Sequence, residues 1–329
     1  PRGPELDVTM NGGGPWEPGE WTDDTAMAIA IAEGAATGAD LREASAQDAI
    51  VTRWLEWSHG SKDVGIQTGS VLRSARIGST ITAERARAAS AALHQRSGRT
   101  AGNGSLMRTA PVALAYLDDE DAMVEAARSV SALTHFDPDA GDACVLWCSA
   151  IRHAVQTGEL DVRVGLRHLD PQNHAMWAER LDVAETSPPA DFPNNGWVVS
   201  ALQAAWSAIA TTAVPPDDPA DGVFRADHLR LSLDAAVRAG FDTDTVAAIA
   251  GGLLGAAYGA SAVPLEWRWK LHGWPDLDSH GLANLAGSVA RHGEGKAFDG
   301  AYRGYRTGAL VPHPFDDKVL LGGVGALHD

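Results

Sequence analysis

Residues 22–38 read TDDTAMAIAIAEGAATG. From Thr25 onward the run is Ala-rich and almost wholly apolar, which suits a helix buried on most of its faces. Downstream, Asp40 is placed to cap a helix over 41–57, with Leu41, Ala44, Val51, Trp54 and Leu55 on one side. Helical spacing recurs at 64–76, 83–97, 119–133, 141–157, 173–184, 196–212, 227–239, 245–259 and 282–291. Within 141–157 the apolar positions Ala143, Trp147, Ala150, Ile151 and Ala154 fall three to four apart, and Val198, Leu202, Ala205, Trp206 and Ile209 do the same in 196–212. Upstream, residues 1–21 are rich in Gly and Pro and read as an extended loop. Alternating, β-branched stretches are scarce, and no Asn-Gly hairpin turn separates two apolar runs. The expected class is therefore all-α. Two proline-rich stretches, 185–195 and 213–222, read as surface connections between helices rather than linkers, so one domain over 1–329 is expected.

The four residues that open the quoted stretch, Thr22, Asp23, Asp24 and Thr25, return in rearranged form at Asp242, Thr243, Asp244 and Thr245. The second set follows Gly240, a natural helix stop, and leads into the apolar run VAAIAGGLLGAAYG. The plain reading of either set is an N-cap, in which one side-chain oxygen accepts from orphan N–H groups at the helix start. A cap needs one such residue, and each motif supplies two carboxylates and two hydroxyls. Four carboxylates gathered in a low-dielectric cleft repel one another strongly, and divalent cations relieve the repulsion. Oxygen-only ligands suit Mg²⁺ or Mn²⁺ rather than zinc, and two such ions would balance four negative charges. Gly251, Gly252, Gly255 and Gly259 are expected to let the second helix approach a neighbour closely.

Two further segments carry polar groups between apolar runs. AGNGSLMR at 101–108 places Gly102, Asn103, Gly104 and Ser105 in a turn whose N–H groups can form a nest for phosphate oxygens, or serve as an ordinary turn. LTHFDPDAGDA at 133–143 places His135 between helices with Asp137, Asp139 and Asp142 nearby. Trp16, Trp21 and Trp197 adjoin Gly- or Asn-rich turns and are candidates to border a pocket. Cys144 and Cys148 read as small core residues on one helix face.

Composition narrows the function. A net charge of −17 argues against nucleic acid or an anionic membrane as partner. With only two cysteines, a disulfide framework is not expected, and a reducing, cytoplasmic setting fits. No uninterrupted apolar run reaches membrane-spanning length, and no signal peptide is evident.

Taken together and in this order, WTDDTAM, GNGSLMRTAP, LTHFDPDA and GFDTDTVAAIAGGLLGA resemble the ADP-ribosylglycohydrolase family over most of the chain. The resemblance implies a compact orthogonal multi-helix domain with a binuclear Mg²⁺ or Mn²⁺ centre at the floor of an ADP-ribose cleft. It implies metal ligands at Thr22, Asp23, Asp24, Asp242, Asp244 and Thr245, a diphosphate cradle at Gly102, Asn103, Gly104 and Ser105, and His135 beside the distal ribose. Asp23 or Asp24 would serve as catalytic base. The family also opens with a helix bearing a GDALG-like motif and a glutamate on a loop. Neither is found here, and Glu5 lacks the matching flanks, so the opening segment is expected to lie upstream of Pro1.

The implied activity is metal-dependent hydrolysis of the C1″ bond of an ADP-ribosyl group on a protein or a small molecule, by a monomer. Two alternatives stand beside it: a catalytically silent ADP-ribose-binding relative, and a two-metal nucleotide phosphohydrolase.

Overall fold

The computed structural model describes residues 10–293; Glu5, with the rest of 1–9, and residues 294–329 lie outside the described residues. Thirteen α-helices are described. The first six are α1 (Asp23–Ala35), α2 (Ala44–Ser58), α3 (Ile66–Ala75), α4 (Ala83–Ser97), α5 (Ala110–Ala115) and α6 (Glu120–Ser131). Then come α7 (Pro138–Thr157), α8 (Pro171–Thr186), α9 (Val198–Ala210) and α10 (Asp227–Val237). The last are α11 (Thr243–Tyr258), α12 (Leu265–Lys270) and α13 (Ser279–Gly293). Short 3₁₀ helices occupy Asn103–Arg108, Arg163–His168, Pro189–Asp191 and Ala260–Ala262. The β structure is one antiparallel ribbon pairing His272–Gly273 with Leu277–Asp278. The all-α expectation holds, with α5 and α12 added as two-turn helices too short to show periodicity.

Four helix starts follow ordinary side-chain capping chemistry. Thr82 accepts from the Arg85 N–H at the head of α4, Asp119 from Ala122 at α6, and Asp137 from Asp139 at α7. Asp170 accepts from the N–H groups of Gln172 and Asn173, with Pro171 at the first helical position of α8. Gly98 and Gly158 end α4 and α7 in the left-handed conformation. Asp40 is a correction. Its carboxylate takes the Arg42 guanidinium, the Arg42 N–H and the Tyr116 hydroxyl, and α2 starts later, behind Glu43. With its oxygens committed sideways, Asp40 has none to offer the helix.

The core sits around α7 and α9. Every residue from Ala140 to Ile151 of α7 and from Val198 to Ile209 of α9 is buried, so both helices are enclosed on all sides. Trp54, Trp147 and Trp177 are fully buried, each worth roughly 1.5–3 kcal/mol or more in transfer free energy. Trp147 donates to the Ile249 carbonyl at 3.0 Å, tying α7 to α11. Trp54 donates to the Met27 carbonyl at 3.0 Å, tying α2 to α1. α1 packs on α2, α5 and α13 and reaches α11, so the two acidic starts share one end of the bundle.

The glycine expectation is met at one position. A Cβ on Gly252 would lie 3.3 Å from the Ala110 Cβ, a close approach of α11 to α5. Gly255 instead faces open space in a cavity of about 460 Å³ between α11 and α13. No helix among the described residues is long and apolar enough to cross a membrane.

Candidate active site at two acidic helix starts

α1 and α11 begin with residues that could cap a helix and do not. Neither Thr22 nor Asp242, the residues ahead of them, makes a side-chain cap hydrogen bond. The Thr22 hydroxyl instead donates to Asp24 Oδ2 at 2.6 Å, and Asp242 Oδ2 accepts from Asn103 Nδ2 at 2.7 Å. The side chains ahead of both helices are thus engaged elsewhere than in a cap, Thr22 with Asp24 and Asp242 with Asn103. The cap reading of both motifs fails on this geometry.

The carboxylates lie close enough to raise one another's proton affinity. Burial, then the charges of Asp23 and Asp244, pushes Asp24 up to about 8. Burial, then Asp63, then Asp244, pushes Asp23 up to about 6. Asp242 is raised as well, by burial first and by Asp244, with the Asn103 amide working against the rise. Two helix N-termini point at this cluster, and their dipoles favour anions by roughly 0.3–1 kcal/mol each. Desolvation and mutual repulsion outweigh them, because the carboxyls of Asp23, Asp24 and Asp242 all move up.

One atom is left over. Asp24 is 2 % exposed and its Oδ1 is buried without a hydrogen-bond partner. A buried carboxylate oxygen without a partner costs about 1–3 kcal/mol or more unless something else meets it. The Thr245 hydroxyl lies beside both Asp24 and Asp242 and opposes the rise of each. All these donors are hard oxygen atoms, which fits Mg²⁺ or Mn²⁺. Among the described residues no three acidic, histidine or cysteine side chains converge tightly enough to enclose an ion as they stand. An ion would therefore draw on the threonine hydroxyls and on carboxylate rotation.

Asn195 holds the second motif in place. It is fully buried; its Nδ2 donates to the Gly240 carbonyl at 2.9 Å, and its Oδ1 accepts from the Asp242 N–H at 3.1 Å. Its own carbonyl accepts from Asn103 Nδ2 at 2.9 Å. The 185–195 stretch is thus a surface connection only up to its last residue. Asn103 ties its own segment to two others: Asp242, and the Asn195–Gly196 pair, whose second carbonyl accepts the Asn103 N–H at 3.1 Å.

Comparison with known proteins decides the family. The ADP-ribosylglycohydrolase family model matches residues 1–296. The chain belongs to the ADP-ribosylglycohydrolase family. Hydrolysis of ADP-ribosyl groups is the class of activity that membership supports. The chain is 28% identical over 283 residues to ADP-ribosylarginine hydrolase Tri1 of Pseudomonas putida, covering 83% of this chain and 69% of that one. It is 26% identical over 266 residues to the ADP-ribosyl-[dinitrogen reductase] glycohydrolase of Rhodospirillum rubrum, covering 80% and 78%. A solved ADP-ribosylglycohydrolase-related protein complex superposes with a TM-score of 0.58 at 27% identity, covering 89% and 90%.

In this member of the family, Asp23, Asp24, Asp242 and Asp244 lie near enough to act on one another's charge, with Thr22 and Thr245 beside Asp24. The GNGS segment differs in form: it opens a 3₁₀ helix and is not a flexible turn, with Asn103 and Ser105 buried and the two glycines half-buried. Gly102 and Gly104 pack against His135, whose Nε2 would lie 3.3 and 3.1 Å from a Cβ at either position. Trp197 pairs with Gly102 and is 37% exposed, so it borders the site. Trp21 belongs to the core, and Trp16 stacks over Lys62. Asp137 caps α7, and Asp142 binds Arg128 and Asn173, so both are structural. Cys144 and Cys148 are buried and free, with thiol pKa values raised by burial. Two site residues carry no sequence signal. Asp63 is a lone acid in a polar turn, and Asn195 a lone amide at the end of a loop.

Proposed function

We propose that this chain is a divalent-cation-dependent hydrolase that cleaves the C1″ bond of an ADP-ribosyl group carried by a protein side chain or a small molecule. The observation behind it is that both acidic motifs open helices without capping them and share their charges across 220 residues of sequence, leaving Asp24 Oδ1 unmatched. Two Mg²⁺ or Mn²⁺ ions bound by Thr22, Asp23, Asp24, Asp242, Asp244 and Thr245 would supply Lewis-acid polarisation and charge balance.

The chain's own groups do the rest. Asp23 or Asp24 accepts the proton of the attacking water at a carboxylate oxygen. Asn195 and Asn103 keep Asp242 fixed in that arrangement. The Asn103 N–H is already taken by Gly196, so Gly104 and Ser105 N–H groups are the donors for a diphosphate oxygen. His135 reaches the ribose from under the same turn. Charge at C1″ builds as an oxocarbenium ion, which nearby carboxylates stabilise.

Relatives aligned over most of the chain are named for ADP-ribosylarginine, so that linkage heads the substrate panel. A monomer in the cytoplasm is part of this proposal; free, buried thiols are in keeping with the reducing setting. The test is release of ADP-ribose from modified arginine, modified serine and O-acetyl-ADP-ribose, with chelator and with each ion restored. Activity that survives thorough chelation overturns the metal-dependent reading. Phosphate release in place of ADP-ribose selects the phosphohydrolase, and tight binding without turnover selects the silent relative.

A further inference from the structure

Arg108 is 1% exposed and has no carboxylate partner among the described residues. Its guanidinium carbon lies 3.9 Å from the centre of the Trp54 ring, a cation–π contact in a dry site. Nη2 donates to Thr134 Oγ1 at 2.6 Å, and Nη1 points at the Met27 sulfur at 3.6 Å. Thr134 is fully buried, and its hydroxyl also lies 2.8 Å from His135 Nδ1. Three consecutive polar groups therefore run from the core to the GNGS turn.

The direction of the protons along this chain follows from donor inventory. A guanidinium can only donate, so Thr134 Oγ1 accepts from Arg108. The Thr134 proton then needs an acceptor, and His135 Nδ1 is the one within reach among the described residues. Nδ1 must be bare to accept it, which leaves the ring proton on Nε2. The cation polarises the hydroxyl and makes it the stronger donor. No hydrogen bond to a protein group takes Nε2 among the described residues, and this is the atom beside Gly102 and Gly104.

We propose that Arg108 and Thr134 are positioning residues that lock His135 as a neutral imidazole with its proton on Nε2, a fixed hydrogen-bond donor toward the ADP-ribosyl group. Burial and the Arg108 charge hold His135 well below its usual pKa, in keeping with a ring that never becomes a cation at neutral pH. An oriented donor of this kind aligns a sugar oxygen and takes no proton from it. This rests on the ADP-ribose reading of the site, but its first readout does not.

The test uses the full chain labelled with ¹⁵N-histidine, with His135→Gln to assign the ring signals. In the ligand-free wild type at pH 7, His135 is expected to show a bare Nδ1 and a protonated Nε2. Thr134→Val should spread the ring over both tautomers and weaken ADP-ribose binding by about 5–10-fold, the scale of one hydrogen bond. Thr134→Ser, which keeps the hydroxyl, should restore both. A wild-type proton on Nδ1 overturns the proposal, as does a Thr134→Val protein whose tautomer shifts while its affinity holds. Should Thr134→Val fail to fold, Arg108→Met tests the same relay from its other end, and an unchanged Nε2 tautomer there overturns it. Wild type that binds no ADP-ribose would sink the functional reading, while the ring spectrum still decides the relay.

Discussion

Replacing Asp24 with Asn should stabilise the metal-free protein and abolish its response to metal. The free-energy scale follows from the raised carboxyl. In the folded chain Asp24 sits at about 8 against 3.8 for the ordinary group. At pH 7 the unfolded carboxyl is ionised and the folded one largely protonated. Folding therefore forgoes about three pH units, or about 4 kcal/mol. Because the folded pKa lies above the unfolded one, this cost is absent below about pH 4 and grows until about pH 8. Asn retains the acceptor for Thr22 but places an amide where Oδ1 had no partner, at a cost of about 1–3 kcal/mol. A net gain of about 2 kcal/mol remains, or roughly 3 °C in Tm for a chain of this size. The assay is thermal unfolding in chelator from pH 4 to pH 8, repeated with Mn²⁺. Wild type should lose stability as pH rises under chelation and recover it with the ion; Asp24→Asn should show a flatter profile and no recovery. A variant that melts below wild type in chelator at pH 7, or still gains with Mn²⁺, would refute the reasoning.

Asp244→Ala should leave the fold intact and remove heat of ion binding in calorimetry, since Asp244 loads charge onto both Asp23 and Asp24; unchanged ion uptake rules out its role as ligand. Asn195→Ala deletes two buried hydrogen bonds to the 240–242 turn and should cost about 2–3 kcal/mol in urea unfolding, with m unchanged. Gly104→Ala puts a Cβ 3.0 Å from His135 Cε1. It should weaken ADP-ribose binding by about tenfold with little change in Tm, since an ordered ring must shift by a few tenths of an ångström.

Where the chain obeys local rules, the fold was legible. The expected helix at 83–97 coincides with α4 because Thr82 caps it and Gly98 stops it, both local chemistry. The two acidic motifs were legible because they spend more polar groups than a cap can use. What was hidden lies in long-range partnerships. Asp40 looked like a cap until Arg42 and Tyr116 claimed its oxygens. Asn195 closes a polar, proline-rich stretch, and nothing local marks it as fully buried. Arg108 ends an apolar stretch and would be placed at the surface by its charge, yet it lies over Trp54 in the core. The GNGS segment has turn composition, but contacts from Gly196 and His135 wind it into a 3₁₀ helix.

The separation of α1 from α11 along the chain bears on how the protein comes into being. One half of the acidic cluster leaves the ribosome first, and its counterpart follows some 220 residues later. At about 5–20 residues per second, the early aspartates wait roughly 10–40 s for the late ones. During that interval Asp23 and Asp24 have no Asp242 or Asp244 to repel and can sit hydrated at neutral pH in their ionised form. Closing so long a loop is slow and entropically uphill. Electrostatic conflict thus arrives in the final docking step, and a cation present at that moment would ease the step as well as serve the finished molecule.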